Sequence, residues 1–217
     1  MLFSTAYFPP LSYVAAIAEG FILSDDGVKP SCVWIDSGEH YIKQTWRNRC
    51  RIASAAGTED LRVPVVHAGG GKVPVGQVRV DYSTPWVTRT LRAIDAAYCS
   101  SAFYLYYCDG MADILASKPE TLLELNTALL RFFLDKIGIP ADVRLTPHYV
   151  QPGDLSFGED FRARIHPKRP DTLLQDWGLE KPYFQVFAQK YGFQPNLSVM
   201  DLLFNEGPDS MLYLRRR

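Results

Sequence analysis

The sequence lacks the features that define several large classes of protein. No run approaches the roughly 18 consecutive apolar residues that a membrane-spanning helix needs. Neither sign of charge is in excess, because 23 Lys and Arg oppose 24 Asp and Glu, which gives a formal net charge of −1. A dedicated nucleic-acid-binding protein would carry a basic surface to pair with phosphates. We therefore expect neither a membrane span nor a nucleic-acid partner.

Motifs for metals and for nucleophilic catalysis are also missing. The histidines form no HxH, HxxxH or HExxH pattern and no GxSxG occurs, so no metal site and no cofactor are predicted. The cysteines are scattered without a CxxC, which predicts reduced thiols in the core; they are Cys32, Cys50, Cys99 and Cys108. The first ten residues contain no Lys or Arg and include Pro9-Pro10, unlike a secretory signal, so we expect a cytoplasmic location.

Periodicity and the placement of Gly and Pro predict a mixed α/β fold, with one domain over residues 1–217. A small sheet is expected mainly from the N-terminal half, packed with a largely helical C-terminal half. The predicted strands are 2–7, 32–36, 61–66 and 75–80. The predicted helices are 11–18, 86–98, 102–116, 119–137, 183–191 and 197–206. The stretch 67–72, HAGGGK, is interpreted as a hairpin connection, because its glycine spacing does not fit a phosphate loop.

The most unusual segment is 43–51, KQTWRNRCR, which lies in a stretch without acidic residues between Glu39 and Glu59. If this segment is extended, alternation places four cations on one face, namely Lys43, Arg47, Arg49 and Arg51. One interpretation is a cradle for a phosphorylated or nucleotide-activated anion, because the planar guanidinium suits phosphate and carboxylate. The other is a solvated strand face anchored by Trp46.

A second candidate lies on the predicted helix 197–206. Its apolar residues spread around most of the circumference, whereas Ser198, Asp201 and Asn205 fall within about 60° of one another. A helix with so narrow a polar stripe is expected to be nearly all buried, so Asp201 would need a cation, a hydrogen-bonding partner or a ligand. The alternative is that the thin stripe reaches water. Asn126 lies on the apolar face of another predicted helix and is expected to form an interhelical hydrogen bond.

Residues 148–172 show little periodicity and are predicted to form a long basic loop. Five of the eight residues from Arg162 to Arg169 are Arg, His or Lys, and none is acidic. Loops of this length are usually functional or disordered, and a basic one can close as a lid over an anionic ligand. The alternative is an exposed basic loop without such a role.

Five blocks of the sequence resemble the WbqC-like family of bacterial proteins, in the family's order and over nearly the whole chain. They are STAYFPPLSY at 4–13, YIKQTWRNRCRI at 41–52, VPV at 63–65, DYS at 81–83 and NLSVMDLLFN at 196–205. The resemblance implies that the opening Tyr-Pro motif, the basic block and the last helix contribute to one site. Many longer members open with His-Gln-Pro where this chain has Ser4-Thr5-Ala6, so no acid–base role of that histidine is carried over.

The family is named for members in O-antigen gene clusters. The resemblance and the basic segment together suggest a transferase acting on a sugar nucleotide or an activated glycan precursor, with an anionic small molecule as its ligand. Asp201 is then the expected catalytic residue. The expected substrate-binding residues are Tyr7, Lys43, Gln44, Trp46, Arg47, Asn48, Arg49, Ser198 and Asn205. The alternative is a non-catalytic cytoplasmic partner or scaffold in envelope biogenesis.

Overall fold

The computed structural model describes residues 1–24, 27–66 and 72–216, with only the backbone described at 22–24. The strands are β1 (Leu2–Phe3), β2 (Ile22–Ser24), β3 (Gly27–Lys29), β4 (Ser31–Ile35), β5 (Arg49–Ser54), β6 (Gly57–Arg62) and β7 (Ala141–Leu145). The α-helices are α1 (Leu11–Ala18), α2 (Trp86–Tyr98), α3 (Tyr104–Ala116), α4 (Leu122–Ile137), α5 (Leu173–Asp176), α6 (Ala188–Tyr191), α7 (Val199–Glu206) and α8 (Met211–Leu214). The fold is therefore mixed α/β, as the sequence predicts.

A parallel sheet organises the N-terminal half, with the strand order β1-β4-β7. β1 runs parallel to β4, and β4 runs parallel to β7, with Val33 opposite Val143. The connection from β1 to β4 passes through α1, so the predicted β-α-β opening is confirmed. All three strands point the same way, so the residues that follow them lie together at the carboxyl ends of the strands. Ligands of α/β proteins commonly bind there.

Two antiparallel hairpins complete the strands, β2 with β3 and β5 with β6. In the second hairpin Arg49 lies opposite Arg62, and Gly57, with φ +113°, occupies a turn conformation that side chains rarely adopt. Cys50 and Ile52 face the core, whereas Arg49 and Arg51 lie on the other side. The hairpin thus has one apolar and one charged face.

The helices bury most of the remaining apolar surface. All eight residues of α1 are buried. A capping box begins α4, where Thr121 accepts from the Glu124 amide and Glu124 accepts from the Thr121 amide, and Gly138 ends it with φ +81°. Every residue of α7 except Glu206 is buried, and Ser198 caps its first turn. Within the described ranges, no helix combines the length and apolarity that crossing a bilayer requires.

Some predicted elements are absent or displaced. The strand predicted at 75–80 is wrong: Val75–Gln77 form a 3₁₀ helix closed by a hydrogen bond from the Gln77 amide to the Pro74 carbonyl. β6 begins before the predicted 61–66, and α6 is only the end of the helix predicted at 183–191. The predicted hairpin connection at 67–72 falls, except for Lys72, outside the described residues.

The cysteines are free, but they are not core thiols as a group. Cys50 is buried, Cys32 and Cys99 are exposed, and Cys108 is half-buried. Cys32 is exposed because β4 alternates between a buried face and one that reaches solvent, and Cys32 lies on the latter.

Candidate functional site

A cleft lies at the carboxyl ends of the parallel strands. Its volume is about 360 Å³, within the range of small-molecule sites. Its lining comes from the segment after β4 and from the loop 148–172, and consists of Glu39, His40, Ile42, Arg47, Tyr149, Pro152, Asp160, Arg162, Ala163, His166 and Arg169. Apart from the 3₁₀ helix Leu155–Phe157, residues 148–172 form no helix or strand, and a role of this loop as a lid stays a prediction.

A buried ion pair forms one wall of the cleft. Arg47 donates from Nε to Glu39 Oε1 at 2.9 Å and from Nη2 to Oε2 at 2.5 Å. The Ser4 hydroxyl donates to Glu39 Oε2 at 2.8 Å and accepts from Arg47 Nη2 at 2.9 Å. Burial raises the pKa of Glu39, and Arg47 and Ser4 oppose that shift. Arg47 is therefore already paired before any ligand arrives.

A second arginine anchors the basic loop to the sheet. Arg162 donates from Nη1 to Asp36, the fully buried residue after β4, and to the Val150 carbonyl at 2.8 Å. Its Nη2 donates to Asp160 Oδ2 at 2.6 Å. Apolar contacts support this attachment, because the Phe161 ring stacks on Phe3 with centroids 5.0 Å apart. The part of the loop beside the cleft is thus fixed against the ends of β1 and β4.

The open part of the cleft carries groups that remain available to a ligand. The His40 and Tyr149 rings stack with centroids 6.3 Å apart, and both side chains are exposed. His166 accepts a hydrogen bond at Nδ1 from the Lys168 amide at 3.2 Å. Burial, and then Arg47, Arg169 and Lys168, lower the pKa of His166, so its neutral ring presents Nε2–H as a donor. This combination of exposed rings and a ring N–H donor can bind an anion.

Sequence comparison places these elements in a family. The model of the WbqC-like protein family matches residues 5–161, which include the opening motif and the basic block. This chain belongs to the WbqC-like protein family. It is also 27% identical over 233 residues to "Uncharacterized protein Rv1507c" of Mycobacterium tuberculosis, covering 96% of this chain and 94% of that protein. No solved structure matches the chain.

The three blocks expected to share a site in this WbqC-like protein meet through their backbones. The Tyr7 amide donates to the Trp46 carbonyl at 2.8 Å. The Ser198 amide donates to the Arg51 carbonyl, and the Val199 amide to the Pro9 carbonyl, each at 2.8 Å. The family match ends before α7, so this junction joins the matched part of the chain to a helix outside it.

The side chains at this junction point mainly into the protein. Tyr7 is fully buried, and burial raises its pKa well above the usual range. Asn48 donates from Nδ2 to the Val63 carbonyl at 3.2 Å. Trp46 is half-buried beside a cavity of about 10 Å³, room for roughly one water molecule. Their predicted ligand-binding roles stay predictions, and none of the three lines the cleft.

The row of four cations expected from an extended 43–51 segment is wrong. Residues 43–47 form turns, with Gln44 at φ +58°, and the strand begins only at Arg49. Arg49 and Arg51 both bind Asp60 on β6, each at 3.1 Å. Lys43 and Gln44 lie exposed at the surface. Of the predicted anion-binding residues, the structure brings only Arg47 into the cleft.

Asp201 is completely buried in α7, so the alternative in which its polar stripe reaches water is wrong. Its Oδ2 accepts from Tyr183 Oη at 2.6 Å and from Gln185 Nε2 at 2.8 Å, so its partners are neutral groups. Burial raises its pKa to about 6, against the opposing effect of Tyr183, Gln185 and Tyr98. Asp201 does not line the cleft, and its catalytic role stays a prediction.

The other two polar residues of this helix stabilise its backbone. Ser198 accepts from the Met200 amide at 3.4 Å, and Asn205 donates from Nδ2 to the Asp201 carbonyl at 2.7 Å. Asn126 also differs from expectation, because its Nδ2 donates to Thr5 Oγ1 at 3.1 Å and to the Arg47 carbonyl at 2.8 Å rather than to another helix. It holds the opening motif against the basic block.

Sequence reasoning missed Asp36, Glu39, His40 and Tyr149. A usable signal was present for the first three, since Asp36 ends the predicted strand 32–36, which the structure has as β4 (Ser31–Ile35), and Glu39 and His40 come shortly after it. Polar residues directly after a buried parallel strand are candidates for a site at the carboxyl ends of the strands. Tyr149 carried no such local signal, because its position depends on how the loop after β7 folds back.

Proposed function

We propose that this WbqC-like protein is a transferase that binds a phosphorylated or nucleotide-activated sugar in the cleft. The observation that carries the proposal is the convergence of Arg169, His40, His166 and Tyr149 at the carboxyl ends of the parallel strands. A role in bacterial surface polysaccharide synthesis rests on the family resemblance alone, and the cytoplasmic location stays a prediction from the sequence.

The charge distribution favours an anionic ligand. The two acidic side chains in the lining, Glu39 and Asp160, are already bound by Arg47 and Arg162. Arg169 is exposed and forms no ion pair with any residue in the described ranges. Burial and, after it, the charges of Arg47, Arg169 and Lys168 lower the pKa of His166, so part of that shift comes from positive charge beside the ring. A phosphate oxygen beside Arg169 and His166 would offset that charge.

The lining offers a role for each part of a glycosyl transfer. The acceptor hydroxyl oxygen would bond to the anomeric carbon of the sugar while the bond from that carbon to a phosphate oxygen breaks. The hydroxyl proton would pass to the His40 imidazole, and the bonding electrons would stay on the phosphate, stabilised by Arg169 and His166. The exposed ring of Tyr149 would provide a flat surface for the sugar or the base.

A thermal-shift screen tests this proposal. Nucleotide sugars, nucleoside phosphates and acyl phosphates would be tested at two salt concentrations, because an electrostatic contribution weakens with salt. A ligand at 100 times its Kd adds about 2.7 kcal/mol to the stability of the folded state. Arg169→Ala should remove the shift. Arg164→Ala is the matched control, because Arg164 is on the same loop, binds Glu159 at the surface and does not line the cleft.

The scaffold alternative is supported by a different surface. Leu105 and Tyr106 are neighbours on α3 and are 78% and 79% exposed, which leaves large ring and aliphatic surface for a protein partner to contact. If none of the ligands shifts the melting temperature at saturating concentration, the transferase proposal fails and this alternative gains weight.

A further inference from the structure

The two edges of the parallel sheet differ in how they are covered. At the β1 edge the Leu2 amide donates to the Glu159 carbonyl at 2.7 Å, and the Phe161 amide donates to the Leu2 carbonyl at 2.8 Å. The basic loop therefore closes that edge. At the β7 edge, no strand from the described ranges pairs with the outer side of β7. An uncovered edge presents unpaired amides and carbonyls to another chain.

The hydrogen bonds show which residues of β7 turn outward. The Pro140 carbonyl accepts from the Ser31 amide, and the Thr146 amide donates to the Ile35 carbonyl. The even-numbered residues of this segment therefore direct their backbone amides and carbonyls toward β4. In a parallel strand the alternate residues then face the other side. Ala141, Val143 and Leu145 therefore direct their amides and carbonyls outward. A groove of about 370 Å³ runs along this edge beside the C-terminal half of α4.

We propose that β7 pairs antiparallel with the β7 strand of a second copy of this chain, about a two-fold axis through Val143. The two sheets would then form one continuous six-stranded sheet, an isologous interface of the kind found in most homodimers. The proposal concerns assembly and does not depend on the reaction proposed above.

The charges along β7 favour a second copy of this chain as the partner, and they favour the register centred on Val143. With Val143 opposite the partner subunit's Val143, Asp142 lies opposite Arg144 of the partner subunit, and the reverse pair forms by symmetry. These are pairs without mutual hydrogen bonds, in which Cα atoms approach to about 4.5 Å and side chains interact most closely. Asp142 and Arg144 already lie on the same face, since their side chains form an ion pair at 2.5 Å.

The apolar residues match in the same register. Ala141 falls opposite Leu145 of the partner subunit, in a pair that exchanges backbone hydrogen bonds. Leu145 is 44% exposed in the single chain, which leaves apolar surface for the partner to cover. A shift by two residues would bring Asp142 opposite Asp142 of the partner subunit, or Arg144 opposite Arg144 of the partner subunit, so the sequence favours the centred register.

One side chain must move for this pairing to form. Arg131 on α4 donates from Nη2 to the Val143 carbonyl at 2.8 Å, the acceptor that the central pair would use. Arg131 is exposed, so its side chain can leave the edge for solvent. It thus acts as a removable cap, and its loss should favour the dimer.

Sedimentation velocity over about 1–200 µM protein tests the assembly. Asp142→Arg and Arg144→Asp each place like charges opposite one another in both symmetry-related pairs and should weaken dimerisation about tenfold. The double variant Asp142→Arg/Arg144→Asp restores opposite charges and should return the Kd to within about threefold of the original. Arg131→Ala should lower the Kd.

Arg79→Glu is the matched control, because Arg79 forms an exposed ion pair with Glu120 and lies away from β7. Circular dichroism and melting temperature show whether each variant is folded. A chain that stays monomeric at 200 µM overturns the proposal. A dimer that is unchanged by both single reversals, or that the double variant fails to restore, also overturns it.

Discussion

Glu39 and Arg47 form a two-point ion pair in the wall of the cleft, and their side chains are each less than one-tenth exposed. The pair fixes the segment between β4 and β5. All three guanidinium nitrogens of Arg47 already donate, Nε and Nη2 to Glu39, Nη1 to Thr45 and Nη2 also to Ser4, so Arg47 has little capacity left for a ligand. We therefore interpret it as the support of the cleft rather than as its anion-binding residue.

Loss of Arg47 should therefore destabilise the fold. Arg47→Met leaves the Glu39 carboxylate buried without its partner, and breaking such a pair typically costs about 3–5 kcal/mol. Urea denaturation at pH 7 measures the change in the free energy of unfolding. Arg49→Met is the control, since its bond to Asp60 is partly solvated and should contribute about 1 kcal/mol or less. Equal losses in the two variants would contradict the structural role of Arg47.

Asp201 should make stability depend on pH. Its pKa is about 6 in the folded protein and about 4 in an unfolded chain, so between these values the folded state binds more protons. The free energy of unfolding contributed by this group therefore falls as the pH rises from about 4 to 6, by about 3 kcal/mol in total. Asp201→Asn removes the charge and should gain stability over the wild type across that window.

Equilibrium denaturation of both proteins at pH 4, 5, 6 and 7.5 measures this difference. Asp209→Asn, at an exposed position, is the control and should track the wild type. A difference between Asp201→Asn and wild type that stays constant with pH would contradict the titration of Asp201. Loss of the proposed transfer activity, with unchanged stability, would instead support the catalytic role predicted from the sequence.

Local signals in the sequence are sufficient for much of the secondary structure. Pro10 precedes α1, Pro85 precedes α2, and Gly138 ends α4, all as the structure has them. The strand predicted at 75–80 does not form, for a physical reason: β-branched residues favour a strand only where a neighbouring strand can pair with them. Here only isolated bridges form at Arg79 and Val80, so the local turn prevails.

The cleft could not be predicted to the same extent, because its lining is assembled from segments far apart in sequence. Arg47 had a strong signal, the acid-free basic window, but the pattern could not show that Glu39 neutralises it. The cluster of cations in the loop 148–172 is visible in the sequence, yet the pairing of Arg162 depends on Asp36 and Asp160, which the sequence pattern does not place beside it. Net charge and spacing give the composition of a surface, whereas pairing is decided by the tertiary fold.

Gly38 should be intolerant of a side chain, because the loop after β7 packs directly against it. A Cβ at this position would lie 2.3 Å from the Tyr149 amide nitrogen and 2.6 Å from its Cα, and backbone atoms cannot move aside as a flexible side chain can. Gly38→Ala should therefore displace Tyr149 from the cleft and cost about 1–3 kcal/mol. Thermal melting measures the loss. A variant with unchanged stability and unchanged ligand affinity would show that the contact is not required.

Anion binding should be coupled to proton uptake by His166. Burial and the nearby Arg47, Arg169 and Lys168 lower its pKa in the free protein. A bound anion adds negative charge and raises that pKa again, so affinity should rise as the pH falls, by at most tenfold per pH unit. Sulfate is a suitable probe because it does not titrate near neutral pH. Glu39, Asp160, Arg162 and His40 also face the cleft, so the wild-type slope alone does not identify the group.

Calorimetry of sulfate binding between pH 5.5 and 7.5, in two buffers of different ionisation enthalpy, counts the protons taken up. His166→Gln should bind sulfate with little dependence on pH and no proton uptake. His148→Gln is the matched control, since His148 contacts Phe157 outside the cleft lining and should leave the uptake unchanged. If the uptake persists in His166→Gln and disappears in His40→Gln, His40 is the coupled group and the assignment to His166 is wrong.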